Sequence, residues 1–264
     1  MTGRIQRLSR PRPQPRHGFS LIELLVVMSI VAILGSLILA GVQRARSMGR
    51  RVSAANDISQ LAAACEKFKQ EFGFYPPYNN PTSDVNYVKS QLTRMFPNAK
   101  PQIDMIMAMP GGFPANLDTN QSLVLFLGGP FHTGWNSQDP GAAPSGANKR
   151  GPYFDFPEQR LIDLATGNKD FHFRDPWGIP FAYFRSLNGN DYSGAVFGTT
   201  ACQQGGRFVN QNSVQIISAG ANKRFGPGGN WTPGAGDYAP SGAGFDDMAN
   251  FNQGAPLGVS PTTN

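Results

Sequence analysis

The chain has 264 residues, of which 40% are hydrophobic and only 15% are charged, and its 31 glycines and 22 prolines argue against a densely packed α/β enzyme and for a small core with long irregular connections. The net charge of +6 is concentrated in residues 1–18, which hold five arginines, and in residues 44–51, which hold four more. Because the chain from residue 52 onward has 14 basic and 16 acidic residues, the charge gives no support for a nucleic-acid-binding face.

The first predicted element is an apolar helix over residues 24–42, LLVVMSIVAILGSLILAGV, which contains no charged residue. At 1.5 Å per residue it would cover about 28 Å, close to the hydrocarbon thickness of a bilayer. The arginine-rich flank before it predicts a cytoplasmic N-terminus and a chain that crosses the membrane. A secretory signal peptide is the alternative, but its apolar region is shorter and a small-residue cleavage site follows it, whereas Gly18 precedes this run.

Residues 18–23, GFSLIE, lie between the basic leader and the apolar run. They resemble the cleavage motif of type IV prepilins and of the pseudopilins of type II secretion. The resemblance implies that a prepilin peptidase cuts between Gly18 and Phe19. It also implies that the new N-terminus at Phe19 is N-methylated.

Glu23 is the one charged residue next to the apolar run. A carboxylate at the centre of a bilayer helix costs about 2.5–3.5 kcal/mol, so a partner would stabilise it. Cleavage would create one, because the amino group of Phe19 lies four positions earlier, on the same helix face. In the family, the matching residue is thought to set subunit register by meeting the N-terminus of a neighbour. The alternatives are that Glu23 bonds its own first-turn amides or lies at the membrane surface without a partner.

A single long helix is predicted from Phe19 to about Phe72, because no proline occurs between Phe19 and Tyr75. Gly73 is predicted to end it. The second half is amphipathic, with one apolar face formed by Ile58, Leu61, Cys65, Phe68 and Phe72. Cys65 is expected to be a buried apolar side chain, and a disulfide with Cys202 stays open because the sequence does not show whether the two residues meet.

The middle of the chain, residues 79–170, gives weaker patterns. Residues 85–96 and 101–109 are predicted as short helices, and the apolar residues 121–129 as either a helix or a buried strand. Residues 128–152 are rich in Gly, Pro and Asn and are predicted to form a loop.

Three short stretches stand out near the C-terminus: DPWG at 175–178, SAGAN at 218–222 and DDMANF at 246–251. The first is a turn signal that precedes a predicted strand, PFAYF, and the second follows another predicted strand at 214–218. The three stretches, in this order, resemble those of the major pseudopilin of type II secretion. The resemblance covers 19–77, 175–185 and 214–251, about half of the chain that cleavage would leave, which is considerably longer than such pseudopilins.

This resemblance implies an α+β, type IV pilin-like fold. A long N-terminal transmembrane and spine helix would pack on a small antiparallel β-sheet, with a long irregular insertion between helix and sheet. The expected segments are a cleaved leader (1–18), the transmembrane half of the helix (19–43), its periplasmic amphipathic half (44–74), a variable insertion (75–174), the small sheet with a C-terminal loop (175–251) and a flexible tail (252–264).

The implied function is that of a structural pseudopilin subunit, which polymerises into a periplasmic pseudopilus that drives type II protein secretion. Its expected partners are copies of itself, prepilin peptidase, the inner-membrane secretion platform and minor pseudopilins. The expected location is the bacterial inner membrane, with one helix crossing it and the C-terminal domain in the periplasm. The alternative is a type IV pilin of a surface fibre used for adhesion, motility or DNA uptake.

A tethered enzyme is disfavoured, because the sequence contains no H-E-x-x-H, G-x-S-x-G, P-loop or Cys-His pairing, and no organic cofactor is expected.

The final loop of that family binds Ca²⁺, and the resemblance implies candidate ligands here in Asp246 and Asp247. Asn222 stands where the family often has Asp, and it keeps an oxygen donor but lacks the charge. Calcium prefers six to eight such oxygen ligands. The alternative is that Asp246 and Asp247 only stabilise a turn in a glycine-rich loop.

Overall fold

The computed structural model describes residues 18, 20–77, 85–108, 117–162, 172–186, 192 and 194–260. The chain divides into two compact units, Met1–Ser47 and Met48–Asn264. The long helix α1 spans Leu21–Phe72, which confirms the predicted helix to within two residues at its start. The proline-free sequence allows its length, and Gly73 ends it in the left-handed conformation, with φ of 79°.

In the first unit, α1 is apolar around its whole circumference from Leu24 to Val42. The large apolar side chains described between Leu21 and Val42 are exposed, Leu21 by 82%. The two serines between Leu24 and Val42 donate hydrogen bonds of 2.8 Å inside the helix, Ser29 to the carbonyl of Leu25 and Ser36 to that of Ile33. The hydroxyl groups of this apolar segment therefore need no water as a partner, as a hydrocarbon environment requires.

In the second unit, one face of α1 forms part of the hydrophobic core. The buried residues recur every three or four positions, as the amphipathic pattern predicted: Ala54, Ile58, Leu61, Ala64, Cys65 and Phe68. Cys65 and Cys202 are both buried and both free thiols, so the disulfide left open by the sequence is not formed. Burial raises the pKa of the Cys65 thiol, which is consistent with its predicted role as an apolar side chain.

Three further α-helices lie in the described residues: α2 (Val85–Met95), α3 (Lys100–Ala108) and α4 (Thr119–Gly128). The first two confirm the predicted short helices. The ambiguous apolar run forms α4, whose residues Leu123 to Leu127 are fully buried. Its start is fixed by a capping box, in which Asp118 Oδ1 accepts a hydrogen bond from the Gln121 amide and Gln121 Oε1 accepts one from the Asp118 amide. The insertion is therefore helical over much of its first half.

The strands are short. They are β1 (Trp135–Asn136), β2 (Lys149–Arg150), β3 (Leu161–Ile162), β4 (His172–Phe173), β5 (Ala182–Arg185), β6 (Cys202–Gln204), β7 (Arg207–Phe208), β8 (Val214–Ser218), β9 (Gly229–Asn230) and β10 (Met248–Ala249). The longest, β8, is buried at all five positions and lies at the centre of an antiparallel sheet with the order β10-β8-β5. β5 and β8 confirm the two predicted strands.

The described residues also form three smaller sheets. β1 pairs with β2 and β3 with β4, both antiparallel, and β6 pairs with β7 antiparallel and with β9 parallel. The long apolar helix together with small, largely antiparallel sheets gives the predicted α+β architecture, consistent with a pilin-like fold.

The end of the chain differs from the flexible tail expected for 252–264. Leu257 is fully buried, and its carbonyl accepts a 2.9 Å hydrogen bond from the indole nitrogen of Trp231. The side-chain amide of Asn252 donates to the carbonyls of Ala255 and Pro256. The segment is therefore packed through Gly258, while residues 259 and 260 are exposed and residues 261–264 lie outside the described residues.

Candidate functional site

The candidate site has two parts, and the first is the N-terminal motif, residues 18–23. Gly18 is exposed, and a Cβ added to it would meet no atom within 4 Å. The fold itself therefore does not require glycine here, so a requirement for glycine would have to come from the enzyme that cuts the chain. Phe19, the other residue of the predicted cleavage and methylation site, lies outside the described residues.

Glu23 makes a reciprocal contact with Ser20 at the start of α1. Glu23 Oε2 accepts a 2.8 Å hydrogen bond from the Ser20 amide, and Ser20 Oγ accepts a 3.2 Å bond from the Glu23 amide. This is a capping box, which satisfies two amide groups that a helix start leaves unpaired. This contact agrees with one of the alternatives considered for Glu23 from the sequence, in which its carboxylate bonds amides at the start of its own helix. The contact between Glu23 and the amino group of Phe19 stays a prediction.

The second part, which we call the loop cluster, consists of residues 175–178, 218–226 and 244–250. Asp175 is buried at its centre. Its Oδ1 accepts hydrogen bonds of 2.9 Å from the amides of Trp177 and Ile179, and its Oδ2 accepts one of 2.6 Å from the hydroxyl of Ser218. Burial raises the pKa of Asp175, although these hydrogen bonds oppose the rise. The carboxylate therefore holds the DPWG turn closed and joins it to the end of β8.

Gly220 connects β8 to the DDMANF segment. It has φ of 65°, and a Cβ at this position would come within 2.2 Å of the carbonyl oxygen of Asp246. Its amide donates a 3.2 Å hydrogen bond to the hydroxyl of Ser218. Both the backbone conformation and the close approach require glycine, so Gly220 determines how tightly the two loops meet.

Asn250 joins the DDMANF segment to β8. Its side-chain oxygen accepts a 3.0 Å bond from the Ile216 amide, and its side-chain nitrogen donates a 3.0 Å bond to the Val214 carbonyl. The side chain thus extends the pairing of β8 with β10 by two hydrogen bonds. The sequence identified the Asn as part of a motif but gave no role for it, because that role depends on strand register.

The structure brings two of the predicted calcium ligands together. Asp246 Oδ2 accepts a 2.8 Å hydrogen bond from the backbone amide of Asn222. Asn222 Oδ1 accepts a 2.7 Å bond from the Arg224 amide, and its Nδ2 donates a 2.7 Å bond to the Ala243 carbonyl. These contacts close the loop, as expected from the alternative in which the acidic residues stabilise a turn.

Asp247 faces a different part of the loop. It is 1% exposed, and its Oδ2 accepts a 2.8 Å hydrogen bond from the Gly226 amide. Its Oδ1 is buried and has no hydrogen-bond partner among the described residues. Burial, together with the neighbouring charge of Asp246, raises the pKa of Asp247 to about 8 despite the Gly226 bond.

The donor set fits a calcium ion only in part. The buried Oδ1 of Asp247 is an oxygen that a cation would satisfy, and Asp246 supplies a second carboxylate. The oxygen of Asn222, however, is already used by a backbone amide. Within the described residues, no group of three or more His, Cys, Asp or Glu side chains is placed to hold a metal ion. A calcium site here would therefore need carboxylates and backbone carbonyls acting together.

Comparison with known proteins identifies the N-terminal part of the site. Residues 14–39 match the family model of the prokaryotic N-terminal methylation motif. In the described part of the chain, α1 alone is long and apolar enough to cross a membrane. The match covers the N-terminal segment only; it supports a type IV prepilin-like protein with a single helix suited to anchoring it in a membrane, and the motif implies processing by prepilin peptidase and assembly into pilus-like filaments. No curated protein and no solved structure matches the chain. The match ends at residue 39, so it does not extend to the loop cluster.

Proposed function

We propose that the chain is a pseudopilin, a structural subunit of the periplasmic pseudopilus that drives type II protein secretion. Prepilin peptidase would cut between Gly18 and Phe19 and methylate the amino group of Phe19. The processed subunits would then polymerise through α1, with the N-terminus cytoplasmic and the second unit periplasmic before assembly. The inner-membrane secretion platform and minor pseudopilins would be its partners.

The observation that carries this proposal is the loop cluster. The three stretches that resemble the major pseudopilin are far apart in sequence, yet they are joined by direct contacts. Asp175 bonds Ser218, Gly220 packs on Asp246, and Asn250 makes two hydrogen bonds to the backbone of β8. A chance similarity of three short motifs would give no reason for their side chains to complete one another's hydrogen bonds.

Assembly would use the one acidic side chain at the start of α1. In the single chain Glu23 bonds Ser20, whose amide and hydroxyl are both exposed at the helix start. The amino group freed by cleavage at Phe19 is cationic at neutral pH and would be a stronger partner than a neutral amide. We therefore propose that Glu23 exchanges the Ser20 amide for the Phe19 amine of a neighbouring subunit in the filament.

Calcium is proposed as a structural ion of the loop cluster. Asp246 and Asp247 would provide the charge, and backbone carbonyls of the glycine-rich loop would provide further oxygens, with Asn222 as the weakest candidate. When bound, Ca²⁺ would compensate the buried carboxylate of Asp247. It has no catalytic role in this proposal, since the protein is proposed to be structural and not an enzyme.

A deletion strain separates the proposal from its alternative, a type IV pilin of a surface fibre. We expect loss of the protein to leave exported proteins in the periplasm while surface fibres, adhesion, motility and DNA uptake are unchanged. The opposite result, lost fibres with normal export, would establish the pilin.

Mass spectrometry of the native protein should find N-methylated Phe19 as the N-terminus in either case, and an intact Met1 would contradict processing altogether.

A further inference from the structure

A polar cleft on the second unit has no part in the proposed filament role. It has a volume of about 760 Å³, within the usual range for ligand sites. The end of α1, the turn between α2 and α3, and the loop before β2 line it. The insertion thus provides most of its walls. We call it the amide cleft, because four carboxamides line it: Asn98, Gln102, Gln138 and Asn148.

The charges of the amide cleft cancel. Glu71 Oε1 lies 3.2 Å from Nε of Arg150, and Glu71 Oε2 accepts a 2.5 Å hydrogen bond from the hydroxyl of Tyr153. Glu71 and Arg150, the acidic and the basic residue of the lining, thus form an ion pair with each other. A charged ligand would have to break this pair, so the cleft favours a neutral one.

The apolar floor of the cleft is small. Phe96 and Met95 are only 4% and 7% exposed, and Phe72 is half-buried with its ring 5.7 Å from that of Phe96. Peptides are usually held by pockets for apolar anchors or by a free strand edge. Because these apolar side chains are largely covered, the floor offers little apolar area for the anchor side chains of a peptide, which disfavours a peptide.

The carboxamides keep hydrogen-bonding capacity for a ligand. Asn148 Nδ2 donates a 3.2 Å bond to Gln138 Oε1, which leaves the Asn148 oxygen and the Gln138 nitrogen facing no partner among the described residues. The exposed side chain of Asn98 likewise makes no hydrogen bond within the part of the chain that the structure describes. Each carboxamide offers donors and an acceptor side by side, a pattern that matches adjacent hydroxyl groups.

We propose that the amide cleft binds a neutral oligosaccharide. Its hydroxyl groups would bond the carboxamides, and the apolar face of one sugar ring would lie on the exposed part of Phe72. The insertion would then serve as a glycan-binding addition to a prepilin-like subunit. This inference does not depend on which filament the subunit forms.

The test is binding of the full-length chain, purified in a detergent without a sugar head group, to immobilised neutral oligosaccharides. Gluco-, galacto- and chito-oligosaccharides are the probes, and oligogalacturonate and short peptides are the comparison. We expect at least one neutral oligosaccharide to bind and the anionic and peptide probes not to bind. Binding of only the anionic probe or only peptides would overturn the proposal, as would no binding at all.

Two variants locate the binding. Asn98→Ala combined with Gln138→Ala removes two exposed carboxamides and should weaken binding about tenfold, the loss expected from one or two hydrogen bonds. Asn98→Trp fills the cleft from an exposed position and should also weaken it. Gln211→Ala, an exposed carboxamide elsewhere in the unit, is the matched control and should change nothing. Equal binding by all variants would place the ligand outside the cleft and overturn the proposal.

Discussion

Asp175 and Ser218 are joined by a 2.6 Å hydrogen bond in the buried centre of the loop cluster, 43 positions apart in sequence. The same carboxylate holds the amides of Trp177 and Ile179. One side chain therefore fixes the shape of a turn and the position of that turn against the central sheet. This relationship makes Asp175 the most sensitive position of the cluster for a stability test.

Asp175→Ala should strongly destabilise the second unit. It leaves a buried amide, a half-buried amide and a buried hydroxyl without their acceptor, a loss of about 2–4 kcal/mol. For a unit of this size the melting temperature should fall by roughly 10 °C. Asp175→Asn is the matched control, because its side-chain oxygen can still accept from the two amides and its nitrogen can donate to Ser218. A melting temperature of the Ala variant equal to that of the Asn variant would contradict the role of the carboxylate oxygens.

The pH dependence of stability should also distinguish wild type from Asp175→Asn. Burial raises the pKa of Asp175 above its ordinary value of 3.8, so the folded chain binds this proton more tightly than the unfolded chain does. The contribution of this group to the free energy of unfolding is therefore fully present below about pH 4. It is lost as the pH rises through the raised pKa of the folded chain. Melting temperatures measured from pH 4 upward should show wild type losing stability relative to the Asn variant. A constant difference would show that Asp175 does not titrate as expected.

Much of this fold could be predicted from the sequence. Where the prediction failed or stayed open, there is a physical cause. The absence of proline and the presence of Gly73 defined α1, and the helical spacing of Ile58, Leu61 and Cys65 defined its buried face. The run that forms α4 was ambiguous between helix and strand. A buried helix has no polar face, so its sequence shows no helical periodicity of apolar residues. The capping box of Asp118 and Gln121 was the signal that would have identified it as a helix.

The loop cluster was predictable as motifs but not as an assembly. No periodicity links residues 175, 220 and 250, since the segments between them are loops of varied length. The resemblance identified the three motifs, whereas their mutual contacts depend on strand register. β6, β7 and β9 were missed for a similar reason, because strands of two or three residues carry no alternation.

Gly220→Ala should separate the two loops of the cluster. The added methyl group would approach the carbonyl oxygen of Asp246 to 2.2 Å, and the positive φ would be strained for any L-residue. We expect a loss of about 1–3 kcal/mol and a lower melting temperature. Gly178→Ala is the matched control. It also has positive φ, but its Cβ meets no atom within 4 Å, so only the conformational cost remains. Equal losses in the two variants would show that the contact with Asp246 is unimportant.

Glu23→Ala should leave processing intact but reduce the yield of filaments. It removes both the bond to the Ser20 amide and the carboxylate proposed to meet the Phe19 amine. Glu23→Gln separates these roles, because a carboxamide still accepts from Ser20 but carries no charge. We expect filament yield, measured by electron microscopy of sheared or overproduced fibres, to fall in both variants. Normal yield with Gln would assign the role to helix capping, and Ser20→Ala then tests the cap directly.

Calcium should stabilise the chain through Asp247. Burial raises the pKa of this residue to about 8, so near neutral pH without metal its carboxyl group is mostly protonated, and Asp247→Asn should melt close to wild type. Millimolar calcium acting on a micromolar site would add about 4 kcal/mol to wild type, roughly 8–16 °C in melting temperature. The Asn variant lacks the charge and should gain much less.

The matched control is Asp237→Asn, which changes an exposed acid in the same glycine-rich region and should respond to calcium as wild type does. If chelator and calcium leave the melting temperature of wild type unchanged, Asp246 and Asp247 stabilise the turn alone and the loop cluster needs no ion.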